Sequence, residues 1–113
     1  HDIIPELAPR EGEIVVDKPG KSSFHATEFD QILRARGIEA LIVAGVTSDC
    51  CVQSTVRDGA DLGYDCVLVA DGTNAVETAN HEGMLAVLAA HGGRWGAVRP
   101  ARSVISLIAE AAQ

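Results

Sequence analysis

Leu41-Ile42-Val43-Ala44-Gly45-Val46-Thr47-Ser48-Asp49-Cys50-Cys51-Val52 is the stretch on which the fold turns. Residues 41–44 form a continuous apolar run of strand length, and Gly45 ends it. Thr47, Ser48 and Asp49 are all helix N-cap types, and the chain beyond them reads as a helix from about Cys50 to Leu62, closed by Gly63. Cys51 therefore falls at or near a helix N-terminus, just past the carboxyl end of a strand. Unpaired N–H groups and the positive end of the macrodipole favour an anion there, and so favour a thiolate over a thiol. The plainer reading of the same residue is a small side chain packing the start of a helix.

Working outward, the same alternation recurs in both directions. Residues 1–12, with Pro5, Pro9 and Gly12, read as an irregular approach. Glu13 to Asp17 reads as a short strand centred on Ile14-Val15-Val16 and stopped by Lys18-Pro19-Gly20. Thr27-Glu28-Phe29-Asp30 resembles a capping box with Asp in place of the usual Glu or Gln. It opens a helix with Phe29, Ile32 and Leu33 on one face and Gly37 as its C-cap. After the 40–45 strand and the 50–62 helix, Tyr64 to Ala70 is a nearly continuous apolar strand of the kind buried on both faces of a parallel sheet. A helix near 80–90 carries Met84, Val87 and Leu88. Trp95 to Val98 is a short last strand, and Ala101 to Ala111 a last helix with Val104, Leu107 and Ile108 inward. Strand and helix alternate throughout, so the class is α/β with a parallel sheet.

That topology carries a chemical expectation. Right-handed crossovers place strand 13–17 beside or close to strand 40–45. Lys18 and Cys51 each follow the carboxyl end of a strand, where ligands bind in open parallel sheets. A lysine ammonium near the Cys51 thiol would further favour the thiolate.

Composition excludes several classes. A chain of 113 residues is one domain at most. A net charge of −7 argues against nucleic acid or an anionic membrane as partner. No apolar run approaches a membrane span, and no signal-peptide pattern opens the chain. Three cysteines without CxxC spacing fit neither a disulfide framework nor a zinc site, so a reducing cytoplasm is the expected location. The chain opens on His1 rather than Met, which leads us to expect a cut or processed polypeptide.

Other candidates have structural readings. Lys21 lies past the turn and reads as a solvated loop lysine. Cys50 points about 100° away from Cys51 on a helix and reads as packing. Cys66 lies inside a buried strand. Asp71 ends the 64–70 strand and reads as a cap or loop anchor, and Arg57 and Asp58 could pair locally. His25, His81 and His91 lack metal-ligand spacing, and no metal or cofactor is expected. His91 precedes Gly92-Gly93, where the backbone can approach a ligand closely, and is a candidate substrate contact.

The segments 18–29 (KPGKSSFHATEF) and 33–72 (LRARGIEALIVAGVTSDCCVQSTVRDGADLGYDCVLVADG) resemble the isochorismatase-like cysteine hydrolases, a superfamily that includes nicotinamidases, N-carbamoylsarcosine amidase and biuret and ureide amidohydrolases. The resemblance rests on a lysine followed six positions later by Phe, here Lys18 and Phe24, and on G-V-x-T/S-x-x-C-V, here Gly45, Val46, Ser48, Cys51 and Val52. Together with 80–98 (NHEGMLAVLAAHGGRWGAV), the pattern is most similar to the biuret-hydrolase branch. It implies a three-layer Rossmann-like parallel sheet flanked by helices and an Asp–Lys–Cys triad. In that triad Lys18 is the lysine and Cys51 the nucleophile. The backbone N–H groups of Thr47 and Cys51 would form an oxyanion hole, Phe24 and His91 would lie at the substrate, and the Val46–Thr47 peptide would be cis.

The cysteine nucleophile argues against isochorismatase proper. The family's catalytic Asp lies on an opening strand that has no counterpart here. Residues 1–113 are thus expected to be the C-terminal portion of one hydrolase domain, lacking its N-terminal strands, with a missing N-terminal segment or partner chain and assembly as a homo-oligomer. His91 stands where biuret-hydrolase-like members tend to carry Gln, which moves the expected substrate from biuret itself to another small ureide or carboxamide. The expected activity is cysteine-dependent amide hydrolysis with release of ammonia. The competing expectation is a catalytically incompetent homologue that works as a scaffold or assembly half.

Overall fold

The nearly continuous apolar run predicted for 64–70 becomes the centre of the molecule. In the computed structural model, which describes residues 3–112 and only the backbone of residue 91, three parallel strands lie in the order β1 (Ala40–Val46), β2 (Asp65–Asn74), β3 (Ala97–Arg99). Leu68 and Val69 point to opposite faces of β2 and both are buried, as a strand covered on each side requires. Helices α1 (Phe29–Ala35), α2 (Gln53–Asp61), α3 (Thr78–Ala89) and α4 (Ala101–Ala111) flank the sheet. Leu33, Val52, Val56, Tyr64, Cys66, Leu68 and Leu88 form one core drawn from α1, α2, β2 and α3. Among the described residues no helix is long and apolar enough to cross a membrane.

Several expected elements shift. The 13–17 segment is no strand: Ile14 and Val15 are exposed and the described residues give it no ladder partner. A strand needs a neighbour, and the chain instead folds back at once, the Lys18 ammonium donating to the carbonyls of Gly20 (2.9 Å) and Lys21 (3.0 Å). The expected pairing of 13–17 with strand 40–45 is therefore absent, and among the described residues β1 pairs with β2 alone. On its open side Ile42 is 52% and Val46 70% exposed. The last helix forms where expected, but of its three inward candidates only Val104 is buried; Leu107 and Ile108 are 61% and 52% exposed, because no described residue covers that face.

The capping box of α1 is half made. Thr27 Oγ1 accepts from the Phe29 N–H at 3.2 Å and donates to the Ser23 carbonyl at 2.6 Å. Asp30 does not reach back. Its carboxylate accepts from the Tyr64 hydroxyl at 2.6 Å and from Arg34 Nε at 3.2 Å. Burial and that carboxylate together push the Tyr64 phenol above its usual 10.0, against the opposing pull of Arg34.

β2 runs four residues beyond its expected end at Ala70. Its register against β1 jumps from Val43↔Leu68 to Gly45↔Thr73, so the residues between 68 and 73 bulge out of the ladder. The bulge turns Asp71 onto the start of α4, where Oδ1 accepts from the Ala101 N–H at 2.6 Å; a carboxylate at a helix N-terminus satisfies an orphan amide and complements the macrodipole. Arg57 does not pair with Asp58 but lies over the Trp95 ring, 4.9 Å from its centroid.

The backbone at Gly96, φ +123°, passes so close to β2 that a Cβ would overlap the Cys66 carbonyl oxygen. Gly96→Ala is expected to destabilise the fold by about 2–4 kcal/mol, read from the urea midpoint. Burial, with Asp65 adding to it, also pushes the Cys66 thiol above its usual 9.0. Cys66 and Tyr64 thus ionise more readily unfolded than folded, so the unfolded chain holds fewer protons at high pH. Their contribution to stability is complete below about pH 9 and is lost as pH rises above it; the urea midpoint at about pH 10 should fall below that at about pH 8.

Candidate active site

Gly45 is the last small residue of β1 and holds φ +116°, a conformation that a side chain strongly disfavours. The next peptide, Val46–Thr47, is cis, as the sequence resemblance implied. The helix expected from Cys50 starts differently: Ser48–Val52 is a π-helical turn that runs into α2 at Gln53. The Thr47 carbonyl accepts from both the Cys50 N–H (3.1 Å) and the Val52 N–H (3.0 Å), which makes 47–52 a single hydrogen-bonded body. Cys51 rides on it at the carboxyl end of β1.

Lys18 and Cys51 line one cavity of about 160 Å³ with Ser23, Gly45, Val46 and Thr55. The fold brings them together without the strand 13–17 that the sequence reading relied on. Thr55 supplies the connection instead. One turn along the helix from Cys51, its Oγ1 donates to the Cys51 carbonyl at 2.9 Å and accepts from the Ser23 N–H at 2.9 Å. The loop that carries Lys18 is thus tied to the turn that carries Cys51. Back-bonding from a helical Thr to the carbonyl four residues earlier is a recurrent local habit, so half of this connection was legible in the spacing of Thr55 from Cys51. Its other half, Ser23, carried no sequence signal.

The remaining candidates separate. Thr47 adjoins the cavity through its peptide neighbour Val46. Phe24 is not among the residues that line this cavity; its ring packs 5.0 Å from Phe29 and 5.7 Å from Tyr64, centroid to centroid, against the core. The backbone of His91 opens a short 3₁₀ turn, His91–Gly93, and its side chain lies outside the described residues. Cys50 is half-buried and Cys66 buried, 3.8 Å from the Tyr64 carbonyl. Among the described residues no three His, Cys, Asp or Glu side chains gather as a metal site. A larger cavity, about 490 Å³, opens at the opposite edge of the sheet, around Tyr64–Val67 and Gly93–Ala97. It lies at the strands' amino ends, and its one thiol is Cys66, whose ionisation burial disfavours.

Residues 1–98 match the isochorismatase domain model. The chain belongs to the isochorismatase family. Ureidoacrylate amidohydrolase RutB of Azorhizobium caulinodans is 47% identical over 72 residues, which is 64% of this chain and 32% of that protein. A solved cysteine hydrolase from Pseudomonas syringae pv. phaseolicola superposes with a TM-score of 0.90 at 30% identity, covering 97% of this chain and 55% of that one. N-carbamoylsarcosine amidase from Thermoplasma acidophilum superposes with a TM-score of 0.76 at 28% identity, covering 88% of this chain and 54% of that one. The parallel sheet flanked by helices is thus the isochorismatase-like fold. The chain spans about a third of the length of these curated relatives and little more than half of the solved ones.

Thr55→Val keeps the volume and removes both hydrogen bonds, leaving the Ser23 N–H and the Cys51 carbonyl without their partner. It is expected to cost about 1–3 kcal/mol in urea unfolding, with Thr55→Ser close to wild type.

Proposed function

We propose that residues 1–113 are the C-terminal portion of an isochorismatase-like amidohydrolase domain that cleaves a C–N bond of a small ureide or carboxamide and releases ammonia. The observation that carries this reading is the cavity shared by Lys18 and Cys51 at the carboxyl end of β1. The names of the relatives, a ureidoacrylate amidohydrolase and an N-carbamoylsarcosine amidase, support the substrate class.

In this reading Cys51 Sγ attacks the substrate carbonyl as thiolate. The backbone N–H groups of Thr47 and Cys51 receive the charge that develops on its oxygen, and the Lys18 ammonium favours the thiolate before attack. Collapse expels ammonia, and water cleaves the resulting thioester-like intermediate. His91 is assigned to the substrate, and Phe24 to packing beneath the loop that presents Lys18. A carboxylate is needed to take the thiol proton and return it to the departing amine. None stands among the residues lining the cavity, so the proposal includes a segment or partner chain that brings one, seated along the open side of β1 where Ile42 and Val46 are exposed. Assembly of copies belongs to the same proposal and is supported by the exposed Ile105, Leu107 and Ile108 on α4.

Two measurements test it. In the complete assembly, Cys51→Ala should lower ammonia release from ureides by at least about 10³-fold while Cys50→Ala keeps most of it; equal losses would overturn the nucleophile assignment. Residues 1–113 purified free of other polypeptide should show no sustained turnover. Turnover by that chain alone, lost on Cys51→Ala, would remove the need for an outside carboxylate. Absence of activity in every assembly would leave the scaffold reading.

A further inference from the structure

The Cys51 turn is held from its other side by a pair that the sequence reading left unconnected. Ser48, its first residue, is completely buried, at 0% exposure. Its Oγ lies 2.8 Å from His81 Nδ1, a residue 33 positions away in the first turns of α3. Beside it Asn80 Nδ2 donates to Asp49 Oδ2 at 3.4 Å. We propose that His81 is a positioning residue for the nucleophile, pinning the 47–52 turn to α3 through Ser48; the role rests on the assignment of Cys51 made above.

Ser48 lies between Thr47 and the rest of the turn, so the two amides proposed to receive the substrate oxygen, those of Thr47 and Cys51, flank it. The turn is one hydrogen-bonded body through the Thr47 carbonyl, and a displacement at Ser48 moves both amides and the thiol together. The Ser48 hydroxyl can donate to a bare Nδ1 or accept from a protonated one, so either tautomer of the ring makes the bond. α3 is a firm support for it: Leu88 is buried in the core and Met84 packs against it. Thr55 fixes the turn to the Lys18 loop, while His81 fixes it to the body of the protein. Misplacing reacting groups by about 1 Å can cost on the order of 10² in rate, so a pin that adds no chemistry of its own is expected to show in kcat.

The test compares wild type with His81→Ala, Ser48→Ala, the double variant and His81→Asn, whose amide can take the place of Nδ1. Backbone hydrogen exchange of residues 46–53 is followed in the full chain, and kcat and KM in the complete assembly. Each single Ala variant should exchange at least about fivefold faster at 46–53, the double no faster than either, and His81→Asn within about twofold of wild type. kcat should fall about tenfold or more with KM changed less than about twofold, again restored by Asn. Additive exchange in the double variant, failure of Asn to restore, or altered exchange with unaltered kcat would each overturn the proposal. Ser48→Ala removes one small hydroxyl, so if His81→Ala fails to fold, Ser48→Ala against wild type and His81→Asn still decides: exchange and kcat unchanged in Ser48→Ala would overturn the proposal. If the wild type hydrolyses no ureide, the amidase reading falls, and the exchange cycle still decides whether His81 pins the turn.

Discussion

One hydroxyl does more to assemble this site than any strand. Thr55 Oγ1 is buried between the Cys51 carbonyl and the Ser23 amide and satisfies both. Those groups belong to segments of different kinds, a helix start fixed by the sheet and an exposed loop with no ladder to fix it. Beside that bond, the loop from Lys18 to Phe24 has internal bonds, the Lys18 ammonium to Gly20 and Lys21 and the Ser22 hydroxyl to the Phe24 amide. It is also tied to the start of α1 by Thr27 Oγ1 on the Ser23 carbonyl and to the core by the Phe24 ring. The Thr55 bond is the one that sets this loop against the turn carrying Cys51. A buried neutral hydrogen bond nets only about 1 kcal/mol, and leaving its partners bare costs more, so the constraint lies in the penalty for breaking it.

The sequence was legible where one physical effect dominated. β2 reads from Tyr64-Asp65-Cys66-Val67-Leu68-Val69-Ala70 because burial on both faces leaves an apolar run that nothing else explains. The Gly45–Cys51 turn reads from the end of the apolar run at Gly45, though no side-chain cap forms there, and the family resemblance supplied the cis peptide. Legibility failed where an outcome depended on a partner distant in sequence. Ile14-Val15-Val16 has strand composition, yet a strand exists only as half of a pair. The hydroxyls of Thr55 and Ser48 look like ordinary helix and cap residues, and their partners at Ser23 and His81 lie 32 and 33 positions away. Phe24, read from its motif as a substrate contact, is a partly buried ring packed against the core, and its packing partners Phe29 and Tyr64 gave no signal at the level of the motif.

The exposed apolar residues fall into two groups with different meanings. Those on α4 lie on a helix anchored by Val104 and by the Asp71 cap, so the helix holds its place whether or not that face is covered. Those on β1 lie on a strand that, among the described residues, has a ladder partner on one side alone, and an edge that is apolar as well as open is a poor ending for a sheet. β1 is also the strand that carries the Cys51 turn, which links the open side of the sheet to the candidate site.

That link is geometric. The cavity of Lys18 and Cys51 shares Ser23, Val43, Ala44 and Thr55 with a second hollow that continues along β1 past Ile42 to Leu41 and Phe29. The exposed residues of the strand line the same two hollows, Val46 the first and Ile42 the second. Whatever polypeptide covers Ile42 and Val46 therefore walls the cavity at the same time. Walling it removes water from around Cys51 and Lys18, and polar groups interact more strongly in a drier, lower-dielectric site. Apolar cover over β1 and enclosure of Cys51 are in this fold one event.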